Sequence, residues 1–361
     1  MLKKKIDYTS VIENDNYRYL REAAGVAYDK YRESWAATEK LELTPDYPLQ
    51  LDFELNYSCN FTCSNCTWNI ESTGGKGKST WFPFEEFKRI IDAGIDRGLK
   101  CIRLNYINEP LIRKDLYKFI EYAKKSGVID VYLSTNGSLL TRAASERLIE
   151  SGLMRLQVSL DAFTEDTFNK IRQGGNFQQV KRNILNFIEM RNSRGNRLPL
   201  VRVNFVRTSE NEHELDQFKD YWSKIADGIG IQDLVGIMRE FKLGSQCGSS
   251  HETSSVAFRC SQPFNHLTVR YDGSILPCCS FFGAQLPLGK LRTDQRLSDV
   301  ENVNNKISDT SKQNDKKISL QEAWDSPEIR ELRKIHLNGE YFKNPVCKRC
   351  VESSSHQDNT Q

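Results

Sequence analysis

The chain has 361 residues, 38% of them apolar, and its 51 basic and 48 acidic side chains leave a net charge of +3. That length suits one large barrel or a barrel with an appended module, and the balanced charge excludes an overall field that would draw in nucleic acid or an anionic membrane. The apolar runs are too short to span a bilayer, and the opening MLKKKIDYTSVIENDN lacks the apolar core and cleavage site of a secretory signal, so the expectation is a soluble, cytoplasmic chain.

Residues 1–48 mix polar and aromatic positions, as in NYRYLREAAGVAYDKYRESWAATEK, and predict an N-terminal helical extension of one or two amphipathic helices. After Pro48 the pattern becomes a repeated pair of short β-rich and longer helical runs. Strands are predicted at 51–57, 100–106, 129–135, 154–160, 200–206 and 229–237, separated by stretches such as PFEEFKRIIDAGIDRG and QQVKRNILNFIEMRNSRG that close on glycine. This rhythm calls for a parallel sheet, in a βα barrel or an open doubly wound sheet, over 49–241. In either case the loops after the strands form the ligand face.

The Gly/Ser-rich stretch 242–259 reads as a linker, and 260–350 as a second, cysteine-bearing module. Inside that module, 292–317 is nearly devoid of large apolar residues and is expected to be a mobile insertion, while 351–361 is expected to be a disordered tail.

Ten cysteines in a chain expected to face cytosolic reductants point to metal binding rather than disulfides. Cys59, Cys63 and Cys66 are spaced C-x3-C-x2-C in the loop after the first predicted barrel strand. A structural zinc site wants four ligands, whereas a 4Fe-4S cluster held by three cysteines keeps one iron open. The competing reading is a zinc site completed by a distant ligand such as Cys101.

The loop and its βα context resemble the radical S-adenosylmethionine superfamily over about 51–350. The resemblance implies a partial (β/α)6 barrel and an open iron that binds the amino and carboxylate groups of S-adenosylmethionine. It also implies reductive cleavage to a 5′-deoxyadenosyl radical that abstracts a substrate hydrogen. INEPL at 107–111 resembles the family's GGEP segment and implies cofactor contacts at Asn108, Glu109 and Pro110. STNG at 134–137 resembles the strand end beside the cofactor, implicating Ser134 and Asn136, and SLDAFTEDTFNKIRQGGNF at 159–177 implicates Ser159, Asp161 and Arg172. Taken without the family, Asn136-Gly137 reads as a turn, Asp161 as a helix cap and Arg172 as part of a solvated helix face. Asn65 stands where the family usually has an aromatic residue, with Trp68 nearby.

Cys260, Cys278, Cys347 and Cys350 form a second set, which also suits a zinc ribbon. The run RCSQPFNHLTVRYDGSILPCC, then LGKL, SLQEAW and CKRC, resembles the C-terminal SPASM or twitch extension of part of the superfamily and implies one auxiliary 4Fe-4S cluster. The G-x4-C spacing from Gly273 favours Cys278 as ligand over its neighbour. Cys279 then becomes either a buried apolar residue or a reactive thiol, and is the candidate catalytic side chain. Cys101 is expected in the core, Cys247 in the linker, and His266 in a structural role.

The resulting expectation is hydrogen abstraction followed by oxidation or epimerisation of a small carbohydrate-like or aminocyclitol molecule. An electron donor such as flavodoxin or ferredoxin is implied, with no nucleic-acid or membrane partner. Modification of a peptide or protein side chain is the alternative. A reading of another class is an inactive iron-sulfur or zinc scaffold, raised by Asn65, Ile107 and Asn108 at family motif positions.

Overall fold

The computed structural model describes residues 9–13, 15–68, 81–234, 258–293 and 316–354. Six strands form the parallel heart: β2 (Gln50–Phe53), β3 (Cys101–Arg103), β4 (Asp130–Thr135), β5 (Arg155–Ser159), β6 (Leu200–Arg207) and β7 (Gly228–Asp233), each hydrogen-bonded to the next in chain order. An unbroken order has no switch point, so of the two sequence-based alternatives the partial barrel is the one that forms.

Alternation along the strands explains where the helices sit. Leu51, Phe53, Ile102, Val131, Leu156 and Val203 are fully buried against Phe87, Phe119, Ile184 and Trp222. Those partners come from the helices α3 (Phe84–Ile95), α4 (Leu116–Lys125), α7 (Phe177–Ser193) and α8 (Leu215–Trp222). Between them run α5 (Arg142–Glu150) and α6 (Glu165–Ile171). The opposite positions, among them Asp52, Glu54, Arg103, Ser134, Gln157 and Asn204, point to the inner face by the period-2 rule. A barrel with a polar interior is built to hold something polar.

The region before the barrel is not helical alone. Before α1 (Arg18–Ala24) and α2 (Val26–Glu39), a strand β1 (Thr9–Glu13) pairs antiparallel with β7, Thr9 opposite Gln232 and Glu13 opposite Gly228. It covers an edge whose N–H and C=O groups would otherwise be unpaired, a need that lies in the far partner and not in the local pattern of residues 1–48. Helix α2 places Tyr31, only 2% exposed, with Tyr28 and Trp35 against Leu49, Cys101 and Tyr132. These residues lie at the start of the strands, so the helix plugs the end away from the ligand face.

The C-terminal module extends the same sheet. Its first strand, β8 (His266–Val269), preceded by α9 (Gln262–Asn265), pairs parallel with β2, Gln50 opposite His266 and Phe53 opposite Val269. Strands β9 (Ser274–Leu276), β10 (Gly289–Leu291) and β11 (Lys317–Ile318) complete an 11-stranded sheet. Helices α10 (Leu320–Trp324), α11 (Pro327–Leu337) and α12 (Pro345–Ser354) follow, and Trp324 Nε1 donates to Pro45 O at 2.8 Å.

Several boundaries move. The strands predicted to reach 57 and 106 end at Phe53 and Arg103; beyond them Asn56 Nδ2 donates to Glu109 O in a neighbouring loop, and Asn105 Oδ1 accepts from Ser134 N of β4. The segment predicted as a disordered tail begins inside α12, and the predicted insertion ends in β11. Most of the predicted linker and insertion, with Cys247, lies outside the described residues. Among the described residues no helix is long and apolar enough to cross a membrane.

Candidate metal centres and the barrel lumen

Cys59, Cys63 and Cys66 occupy the loop that leaves the C-terminal end of β2. The loop is tied down by main-chain bonds from Thr62 N to Gln173 O at 2.9 Å and from Ser64 N to Ile171 O at 3.0 Å. Phe61 is buried edge-on to Phe168. Only a glycine fits at 175, since a Cβ there would lie 2.5 Å from the Phe61 ring. Burial pushes the Cys59 thiol up to about 12, with the other two cysteines and Glu109 adding to the rise. Burial also raises Cys63, against the pull of Arg172, whose Nη1 lies 3.8 Å from its sulfur. Three adjacent thiols that ionise only at a cost fit a site completed by cationic iron. Cys101, the example of a distant fourth ligand for zinc, is at the far end of the strands and fully buried, so it does not complete a site here.

The strand-end residues brace this loop. Glu109, 2% exposed, accepts from Thr135 Oγ1 at 2.7 Å, Asn136 N at 2.7 Å and Leu111 N at 3.0 Å, and its own N–H donates to Ser58 O at 2.9 Å. Burial raises its carboxyl despite these donors. Pro110 opens a short 3-10 turn, and Asn108 Nδ2 donates to Asn56 Oδ1 at 2.8 Å. Asn136 makes the anticipated turn, accepting from Ser138 N at 2.9 Å, and also donates to Asn60 Oδ1 in the cysteine loop at 2.9 Å. Ser134 Oγ donates to Gln157 Oε1 at 3.1 Å, and the half-buried Ser159 ends β5 opposite Asn204.

Two plain readings of the sequence do not hold. Asp161 does not cap a helix; Thr164 caps α6. Asp161 sits at a left-handed φ of 60°, accepts from Val206 N at 2.8 Å and pairs with Arg172. Arg172 is therefore no solvated side chain, being 13% exposed and lodged between Asp161 and Cys63.

In the C-terminal module, Cys260 precedes α9, Cys278 follows β9, and Cys347 and Cys350 lie one turn apart on α12. Burial raises the Cys278 thiol, and Cys350 and Cys260 raise it further. Burial likewise raises Cys260, with Cys350 and Cys347 adding to it. Gly283 leaves room for this group, because a Cβ there would stand 2.7 Å from Cys278 Sγ. Cys279 interacts with Cys260, Cys278 and Cys350 as well, and meets further neighbours of its own. Burial alone would raise its thiol, but Arg103 and His266 outweigh it and the net direction is down.

Aromatic side chains flank both cysteine regions, and Arg270 lies over the Tyr57, Tyr106 and Tyr271 rings among them. Tyr57 packs edge-on to Trp68 at 4.6 Å and stacks on Tyr271 at 4.4 Å, and Trp68 N donates to Cys66 Sγ at 3.4 Å. Tyr106 OH donates to Ser280 O at 2.8 Å, and Ser280 Oγ is 3.3 Å from Cys350 Sγ. The polar positions of LDFELNY, Asp52, Glu54 and Asn56, were the available signal for an inner polar face.

Residues 53–220 match the family model for the radical SAM superfamily, and residues 260–351 match SPASM, an iron-sulfur cluster-binding domain. The chain is 31% identical over 185 residues to the probable GTP 3′,8-cyclase of Methanococcus maripaludis, covering 51% of this chain and 58% of that one. It is 35% identical over 181 residues to the GTP 3′,8-cyclase of Desulforamulus reducens, covering 50% and 53% respectively. To the mycofactocin maturase MftC of Mycobacterium tuberculosis it is 30% identical over 200 residues, covering 54% and 47%. The matches thus span about half the length of these curated relatives. Among solved structures, Streptococcus suis SuiB bound to precursor peptide SuiA has a TM-score of 0.55 at 14% identity, covering 92% of this chain and 79% of that one. SuiB bound to S-adenosylmethionine has a TM-score of 0.55 at 15% identity, covering 96% and 83%. At such identities the likeness is one of fold.

Proposed function

Because the chain belongs to the radical SAM superfamily and carries a C-terminal SPASM domain, we propose that it oxidises a substrate carbon by hydrogen abstraction followed by electron removal. Membership in these families brings a 4Fe-4S cluster, an auxiliary cluster and S-adenosylmethionine. When bound, they supply a 5′-deoxyadenosyl radical and an electron acceptor. In this reading Cys59, Cys63 and Cys66 hold the first cluster, and Cys260, Cys278, Cys347 and Cys350 the auxiliary one. Asn108, Pro110, Ser134, Asn136 and Ser159 border the cofactor at the strand ends. Glu109, Asp161 and Arg172 act by positioning, since their side chains are engaged with the cysteine loop and its supports.

The observation that carries the proposal is the partition of the cysteines into a three-thiol loop and a separate four-thiol group. A fully ligated auxiliary cluster has no open iron, which suits it to electron transfer. Loss of a hydrogen atom and then of an electron and a proton amounts to a two-electron oxidation. Epimerisation would instead need an S–H hydrogen returned by a thiol such as Cys279, whose sulfur donates to Gln262 Oε1 at 3.3 Å. The polar inner face supports a small, hydroxyl-rich substrate such as a carbohydrate or aminocyclitol. Peptide modification is the second reading, supported by the mycofactocin maturase among the relatives and by the peptide-bound SuiB structure.

The test is anaerobic reconstitution with iron and sulfide, then S-adenosylmethionine and dithionite, with flavodoxin or ferredoxin as the protein donor to be compared. About eight irons per chain and release of 5′-deoxyadenosine are expected. Full iron loading without 5′-deoxyadenosine would leave an inactive scaffold, and stoichiometric zinc with about four irons would make the second group a zinc site.

A further inference from the structure

Asp52 on β2, His266 on β8 and Cys279 after β9 lie where the barrel meets the C-terminal module. One carboxylate oxygen, one ring nitrogen and the sulfur all lie within 4.8 Å of one another. Asp52 is fully buried and His266 is 3% exposed. Apart from the Cys279 sulfur, His266 Nε2 meets no hydrogen-bond partner, and the burial of such a polar atom is costly. Its other nitrogen, Nδ1, is 2.7 Å from Asn265 Oδ1, and a proton on Nδ1 would leave the Nε2 lone pair for a metal ion.

We propose that Asp52, His266 and Cys279 bind a single divalent cation of the zinc(II) or iron(II) type, separate from both clusters. A thiolate, an imidazole and a carboxylate form a donor set for borderline metals. Tetrahedral zinc would bring these donors to roughly 3.3–3.7 Å from one another, so from their present limit of 4.8 Å the side chains need to close by at most about 1.1–1.5 Å. The outer shell already orients the imidazole and the carboxylate, as metal sites require, and the Cys279 sulfur donates to Gln262 Oε1 at 3.3 Å. Asn265 fixes the imidazole, Gln50 Nε2 donates to Asp52 Oδ1 at 2.7 Å, and Arg103 donates to Asp52 Oδ2 at 2.5 Å. Arg103 offsets one of the two negative charges that the thiolate and carboxylate bring, leaving a pocket that a divalent ion converts to a single positive charge. Three protein ligands leave zinc a position open for an oxygen of a substrate bound in the lumen. That last role rests on the proposed function; the binding of the ion does not.

The experiment uses reconstituted holoprotein incubated anaerobically with zinc(II), desalted, and analysed for zinc and iron. Wild type should retain about one zinc per chain beyond its iron. His266→Gln, Asp52→Asn and Cys279→Ser should each retain at least about tenfold less, with iron unchanged. The iron content reports whether each variant is folded, and His266→Gln decides the matter if the cysteine variant loses structure. Three results overturn the assignment: no zinc in wild type above that in His266→Gln, loss of the zinc on changing Cys347 and Cys350, or loss of about four irons in folded Cys279→Ser. Release of 5′-deoxyadenosine from the same preparations reads the radical chemistry independently, so a failure of either idea is recognisable.

Discussion

The two cysteine regions solve the same problem by opposite means. The first places three thiols in one short loop, and the fold's contribution is to clamp that loop from behind through Gln173 O, Ile171 O and the Phe61–Gly175 contact. The second gathers thiols from three separate segments, the approach to α9, the end of β9 and the first turns of α12. A local loop keeps its spacing even when the surrounding packing loosens, whereas a long-range group exists only while the module is folded. The first site should therefore tolerate damage to the second better than the reverse.

The largest effect that would sharpen this contrast is the replacement of Cys59, Cys63 and Cys66 by alanine. Iron should fall from about eight to about four per chain, and 5′-deoxyadenosine release should vanish. Retained release would move radical formation away from this loop. Changing Cys347 and Cys350 to alanine comes next: product formation should be lost while 5′-deoxyadenosine release persists. Circular dichroism and gel filtration must accompany that assay, since a lost cluster can unfold its module. Normal turnover by a folded variant would reduce the auxiliary group to a structural role.

Smaller effects probe the clamp itself. Asp161→Asn keeps a side chain that tolerates the left-handed backbone, but strips the counter-charge from the largely buried Arg172. Removing one partner of such a pair costs about 3–5 kcal/mol, which chemical denaturation would detect; a change below about 1 kcal/mol would show that Cys63 already satisfies the guanidinium. Gly175→Ala brings a methyl within 2.5 Å of Phe61 and 2.9 Å of Phe168. Overpacking of that kind costs about 1–3 kcal/mol. It should lower the thermal midpoint and slow cluster assembly at the first site while leaving the C-terminal iron in place.

Much of the barrel was legible because its signals are local. The βα rhythm, the C-x3-C-x2-C loop and the six parallel strands each occupy a few neighbouring residues, so period and spacing report them directly. What the sequence left open was decided by contacts between distant residues, which have no period to read. Strand β1 was missed because its partner, β7, is more than two hundred residues away, and the C-terminal module joins the sheet through Gln50 and His266, also far apart. Spacing favoured Cys278 over Cys279 without settling the choice, since the two are adjacent in the bend that follows β9. Only the tertiary structure sets both near Cys260 and Cys350, and brings Cys279 in addition beside Arg103, His266 and Asp52. Local sequence determined the six parallel strands of the barrel and where three thiols cluster; burial and charge across the assembled sheet decided what each remaining polar group faces.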